Sequence, residues 1–421
     1  MTLTTISGKR VIKGFELNDP FPLLVEDSAD IIKFFKNSKI VPYSYTESGT
    51  GNSLRPLLSK ISRLSHTQNA CITKKVELGF TGSLSLYYSD LYSDFDTTKS
   101  VDYNRYREAS QYIMYGKRGV LDYFQDVARN YLIYGECFVE LSIVKSGDKY
   151  ILNNRIMPTE GSYLYKDNDI YYTYLPTLKE NSDITLYPFY PNFVEVEGRM
   201  ISILHIKNGN YLYGEPDSFG SIYKQYNEVQ LSVYNNKQTD NNFMGVTILE
   251  VEGDNPETGI SISTESYDYK HGETVNIPKQ SLASKFVDAT TNKGKAPQSI
   301  IYMERPAGAS SMNVHTVSPV TNEGYFKTLA ELNNDAIITS HRLSRIILGM
   351  EQSTGWNKDA YKDNMLITME TVIANLQKKI LAQHDDVVSE LNMMNGYSDL
   401  VGVNRKILNP IVTLFSNENI D

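Results

Sequence analysis

Between Val120 and Leu141 the hydrophobic period changes once, at a single glycine, and that change restricts the folds open to the chain. Phe124, Val127, Ala128 and Tyr131 recur at three- and four-residue spacing. This is the stripe of a helix that buries one face from about Val120 to Leu132. Tyr134-Gly135 ends it, since glycine reaches the left-handed conformation that closes a helix without a steric penalty. Cys137, Val139 and Leu141 then alternate with Glu136, Phe138 and Glu140, the period of a strand with one core face. A helix that feeds directly into a strand, with further strands behind it, points to an α+β chain. Glu136 and Glu140 fall on one side of that strand. Two such carboxylates can serve as a general acid and base. With no histidine or metal-ligand set near them in sequence, a solvated strand face is the expectation.

Leu54, Leu57, Leu58, Ile61 and Leu64 mark an amphipathic helix, and IYYTYL at 170 and FVEVEGRMISILHI at 193–206 read as strands, the latter a hairpin turning near Gly198. Tyr213-Gly214-Glu215-Pro216 is a sharp stop. Beyond it Asp217 or Ser218 caps a helix running to about Asn242, with Ile222, Tyr226, Val229, Val233 and Tyr234 as a narrow stripe. Such a helix packs sideways against neighbours. From Phe243 to Pro319, VTILEVEG, TVNIP and SIIYMER return to β-type runs, separated by loops such as TTNKGKAPQ. Phe326, Leu329, Asn333, Ala336, Ile337, Ser340, Leu343 and Ile347 hold one helical face from about 321 to 348, with Gly349 as its stop. The polar break EQSTGWNKD at 351–359 leads into a long helix striped by Met365, Met369, Val372, Leu376 and Ile380, a core or interface face.

Composition narrows the function. The 421 residues suffice for several modules, and 31 tyrosines against one tryptophan suit half-buried sheets and subunit interfaces. A net charge of −9 repels phosphate backbones at long range. High-affinity nucleic-acid binding is disfavoured, whereas a conduit for DNA tolerates that balance. Cys71 and Cys137 have neither metal-knuckle nor redox spacing, which suits a reduced cytoplasm. No signal peptide or membrane span is expected. The glycines of SGTGNS at 48–53 lack the Lys-Ser or Lys-Thr of a phosphate-binding loop, and His66, His205, His271, His315, His341 and His384 are scattered. No cofactor, metal or catalytic set is expected.

Four segments, in order, resemble the portal proteins of tailed bacteriophages. They are VLDYFQDVARNYLIYGECFVEL at 120–141, the strand, Tyr-Gly-x-Pro turn and helix of 201–253, ITSHRLSRIILGM at 338–350, and the polar break with its following helix to about Gln383. The family usually has Val-Pro-Pro before the third segment's stop, where this chain has Ser344-Arg345-Ile346-Ile347.

The resemblance implies an α+β portal-like subunit. Residues 1–216 would be the wing, 217–243 and 321–349 the stem helices, and 244–320 a β-rich clip between them. Residues 350–358 would be the tunnel loop, 359–395 a long helix back to the wing, and 396–421 a short crown segment. It implies a homo-oligomeric, dodecameric ring at one capsid vertex of the virion, assembled in the host bacterial cytoplasm. Its partners would be double-stranded DNA, the major capsid protein, the terminase packaging motor and head-completion or adaptor proteins, with no membrane. Glu351, Gln352, Ser353, Thr354, Gly355, Trp356, Asn357 and Lys358 would face the DNA channel. Lys358 could meet phosphates, but Glu351 and Asp359 offset it, as suits a surface that guides without gripping. Trp356 fits a helix-start anchor equally well. The rival readings are another virion structural protein and, further off, an enzyme using Glu136 or Glu140.

Overall fold

The computed structural model describes residues 2–3, 12–14, 35, 38–43, 54–88, 101–116, 119–176, 184–209, 211–240, 246–252, 264–268, 274–278, 300–305, 314–317, 323–350 and 358–409. They form two compact units, one of residues 1–226 with 334–421 and one of residues 227–333.

The first unit begins with the short strands β1 (Thr2–Leu3), β2 (Ile12–Gly14) and β3 (Ile40–Val41), followed by helices α1 (Leu54–Leu64) and α2 (His66–Phe80). Next come β4 (Ser83–Tyr88), α3 (Tyr103–Ser110), β5 (Ile113–Met114), α4 (Val120–Tyr134), β6 (Glu136–Ser146) and β7 (Lys149–Met157). After these run β8 (Ser162–Lys166), β9 (Ile170–Tyr174), β10 (Tyr187–Pro188), β11 (Val194–Val196) and β12 (Arg199–Lys207). Its central sheet has the order β11-β12-β6-β7-β5, and β10-β9-β8-β3 form a second sheet.

Strand β6 is covered on both faces. Cys137, Val139 and Leu141 pack with Phe124, Val127 and Ala128 of α4. On the other side Phe138 meets Leu58 and Ile61 of α1 with Leu164, Tyr172 and Ile203. Each fully buried large side chain is worth about 1.5–3 kcal/mol of transfer free energy, so this strand is the fold's anchor. The expected half-solvated strand is therefore corrected: burial continues on both sides from Glu136 to Val139. The hairpin at Gly198 forms as expected. Glu197 and Gly198 have φ of 51° and 74°, the two left-handed residues of a turn whose twist matches the strands, and Val196 pairs with Arg199.

A 3-10 turn, Asp217–Ser221, precedes α5 (Ile222–Asp240), which carries the chain into the second unit. There β13 (Val246–Glu252) lies between β16 (Ile300–Arg305) and β17 (Val314–Val317), while β14 (Thr264–Asp268) pairs with β15 (Thr274–Pro278). Helix α6 (Glu323–Ser340) returns, followed by α7 (Lys358–Thr368), α8 (Ala374–Met394) and β18 (Val403–Leu408), which pairs with β4.

Two helical expectations need correction. Helix α6 stops at Ser340 rather than near 348. Leu343 N–H donates to Ile338 O at 3.2 Å and Arg342 N–H to Thr339 O at 2.9 Å, with Arg342 at φ 56°. This closing motif forms although the left-handed position holds arginine, and Leu343 and Ile338 share an apolar cluster with Cys71. Gly349, at φ 71°, closes a second turn in the same way, with Met350 N–H on Arg345 O at 3.0 Å. The methionine stripe is also displaced. A π-turn at Met369–Ile373 joins α7 to α8, and its extra residue rotates the buried face. Met365, Ile373 and Ile380 are buried, whereas Met369 and Val372 are half-buried. Helix α2 has no counterpart in the sequence reading, because polar Thr67, Gln68 and Lys75 are buried among its apolar residues and blur any stripe.

Candidate functional site

Of the loop expected to face the channel, Glu351, Gln352, Ser353, Thr354, Gly355, Trp356 and Asn357 lie outside the described residues, and Lys358 begins α7. What is described is how its two ends are held. On the incoming side Leu348 and Met350 pack against Cys71, Ile338 and Leu343. On the outgoing side Met365 and Ile373 cluster with Leu78 and Ile347. The described residues on both sides thus rest on α2, through Cys71 at one turn and Leu78 at another.

The strongest electrostatic feature surrounds Glu136. Arg55 on α1 places Nη2 2.5 Å from its Oε1, His205 on β12 places Nε2 2.9 Å from Oε2, and Gly214 N–H donates to Oε2 at 3.0 Å. Arg55 and Glu136 are 1% and 0% exposed. Arg55 also donates to Ser162 O, and its guanidinium lies 4.4 Å from the Tyr43 ring centroid and 4.8 Å from that of Tyr213. Burial alone would raise the Glu136 pKa, but Arg55, His205 and Gly214 together hold it below the usual carboxylate range. Burial lowers the His205 pKa despite Glu136, so the neutral ring donates Nε2–H while stacking on Phe138 at 4.3 Å.

The expected solvated Glu136 and Glu140 pair is thereby corrected. Glu136 is fully engaged by its partners, and Glu140 is half-buried on β6, opposite Ile203 and Arg155. Arg55 was missed in the sequence, although Arg55, Ser59 and Ser62 form a second stripe at i, i+4 and i+7 beside the leucines, and all three are buried. His205 could not have been paired with Glu136 without the β6 and β12 register.

The cluster fixes the turn that starts α5. At Gly135 a Cβ would stand 2.1 Å from Glu215 C, and at Gly214 one would stand 2.1 Å from Gly135 O. The helix-to-strand junction and the Tyr-Gly-Glu-Pro turn therefore cross backbone on backbone, and Gly135 adds a φ of 77°. Next to this crossing, Gln68 links His341 (2.7 Å) to Ser218 (3.0 Å), and Ser221 bonds Ser340 at 2.9 Å. The beginning of α5 and the end of α6 are held by one polar set on α2. A third buried set ties Arg405 to Asp385 and, at 2.5 Å, to the Tyr115 hydroxyl.

Among the described residues, no three His, Cys, Asp or Glu side chains group as metal ligands, and no helix is long and apolar enough to cross a membrane.

No protein-family model and no curated protein matches the chain. Solved structures do. A chain in the neck of an empty gene transfer agent (GTA) particle, computed with C6 symmetry, is 12% identical with a TM-score of 0.52, covering 86% of this chain and 87% of that one. A chain in the virion of the native GTA particle is 12% identical with a TM-score of 0.50 and the same coverage, 86% and 87%. An HK97 family phage portal protein from Corynebacterium diphtheriae is 10% identical, with a TM-score of 0.41, over 89% of this chain and 98% of that one. The chain has the fold of a virion neck subunit. Its α+β class is borne out, and its fold is shared with a chain in the neck of the GTA particle.

Proposed function

We propose that this chain is a portal subunit, which closes into a ring-shaped DNA channel at one capsid vertex, for genome packaging, attachment of head-completion and tail proteins, and DNA ejection. The observation that carries the reading is the shared fold with the GTA neck chain across 86% of this sequence. Support also comes from α5 and α6, which begin and end on one polar clamp and bracket the β-module of Val246–Val317.

In this reading residues 1–216 are the wing, 217–243 and 321–349 the stem, 244–320 the clip, 359–395 the long helix and 396–421 the crown segment. Residues 350–358, strung from α2-anchored ends, line the channel and touch passing double-stranded DNA. Their role is steric and weakly electrostatic, as a net charge of −9 favours sliding over gripping. The ring is a dodecamer in the virion, and it meets the major capsid protein, the terminase motor and adaptor proteins. No catalytic step is assigned.

Electron microscopy and mass photometry of the purified full-length chain test the proposal. Rings with a central pore and a mass of about twelve subunits are expected for closed cyclic symmetry. A monomer or dimer at all concentrations, with and without scaffold, overturns it.

A further inference from the structure

A cavity of about 510 Å³ opens where α1, α2 and α4 meet beside β7, a size at which clefts enclose ligand groups. Ser59, Ser62 and Arg63 line it from α1 at i, i+3 and i+4, and Asp126, Arg129 and Ile133 from α4 at i, i+3 and i+7. Each set is therefore a single helical face turned to the same space.

The floor and the mouth differ in chemistry. Ile72 of α2 is 1% exposed, and Ile133 and Ile156 are half-buried. The hydroxyls inside are already committed: Ser62 Oγ–H donates to Ser59 O at 2.8 Å, and the Tyr134 hydroxyl donates to Glu160 Oε1 at 3.1 Å. Hydrocarbon is what the interior offers. At the mouth Arg63 and Arg129 are exposed. Among the described residues neither guanidinium makes a hydrogen bond or an ion pair, and Asp126 is the one carboxylate on the lining against the two of them. The fold makes no use of either charge.

We propose that this cavity receives an aliphatic side chain from an acidic peptide segment of a partner protein, with carboxylates flanking that side chain on Arg63 and Arg129. The order of the two chemistries fixes the ligand. A guanidinium fork matches a carboxylate through two parallel hydrogen bonds, while the isoleucine floor rewards a buried aliphatic group. A small anion such as phosphate would leave that floor unused. A nucleic-acid strand would bring phosphates to the arginines, but its bases stack on aromatic faces, and this floor is aliphatic. With a net charge of −9 the chain repels an acidic partner at long range, so recognition rests on the local arginine pair and weakens with salt. The inference stands independently of the portal reading.

Fluorescence anisotropy of a fluorescein-labelled Glu-Glu-Leu-Ile-Glu-Glu peptide, titrated with the full-length protein, tests the site. Saturable binding is expected. Arg63→Gln with Arg129→Gln is expected to weaken it at least about tenfold, because two charge-assisted contacts are lost. Both side chains are exposed, so this variant is expected to keep the wild-type melting midpoint within about 2 °C. Serine in place of the peptide's leucine and isoleucine is expected to cost at least about tenfold as well. Lys60 and Lys74 stand on α1 and α2 outside the lining. Lys60→Gln with Lys74→Gln removes the same charge and is expected to change affinity by less than about twofold. The proposal is overturned by absence of saturable binding, by an equal loss in the lysine variant, or by indifference to the serine peptide. A labelled single-stranded oligonucleotide that binds more tightly than the peptide through the same two arginines also overturns it.

Discussion

Removing the Glu136 carboxylate tests the buried ion pair at the start of β6 most directly. Glu136→Ala leaves Arg55 buried, with Ser162 O and two tyrosine faces but no counter-charge, and strips Gly214 N–H and His205 of their acceptor. Breaking one side of a buried ion pair costs about 3–5 kcal/mol. A unit of roughly 300 residues unfolds with an entropy of about 2 cal/mol/K per residue, so the melting midpoint falls by about 5–8 °C. Differential scanning calorimetry at pH 7 reads this directly. The double variant Arg55→Met with Glu136→Met removes both charges and is expected to recover most of the loss, because apolar replacements avoid the desolvation penalty of the pair. A midpoint shift under about 1 °C for Glu136→Ala, or a double variant no better than the single, refutes the reasoning.

Gly135→Ala and Gly214→Ala each force a Cβ to 2.1 Å from backbone and are expected to cost at least about 2 kcal/mol, read as loss of soluble folded protein or a lowered midpoint. Arg342→Gly relieves a left-handed residue at φ 56° and is expected to raise stability by about 0.5–1 kcal/mol in urea unfolding. His384 accepts from the Tyr123 hydroxyl at 2.8 Å and bonds Ile380 O at 2.9 Å, and burial lowers its pKa from 6.5 to about 3. The unfolded chain therefore binds the extra proton between those values, and stability falls as pH drops below 6.5. His384→Gln is expected to flatten that acid loss by about 1.4 kcal/mol per pH unit, measured by denaturant titrations at pH 6.5, 5.5 and 4.5. Deleting residues 352–356 is expected to leave the thermal midpoint within about 2 °C, since the apolar posts on α2 remain, while DNA packaging in a reconstituted system is lost.

The sequence by itself determined the elements whose periodicity is local. The stripe at Phe124, Val127, Ala128 and Tyr131, the stop at Gly135 and the hairpin at Gly198 depend on neighbours within a few residues, so composition and spacing suffice. The order of helices and strands that resembles portal proteins was legible for the same reason.

Tertiary structure decided what happens to charges and helix ends. Glu136 reads as solvated until α1 brings Arg55 from 81 positions away and the β6 and β12 register brings His205 from 69 positions away. Helix α6 stops at Ser340 because Leu343 folds back onto Ile338 and Cys71, a choice that its apolar spacing alone does not reveal. The π-turn at Met369–Ile373 interrupts a straight methionine stripe, so that Met365 and Ile373 join Leu78 and Ile347 while Leu376 and Ile380 join the cluster of Phe124 and Val127. In each case the deciding partner is distant along the chain, so its energy enters only once the fold has closed.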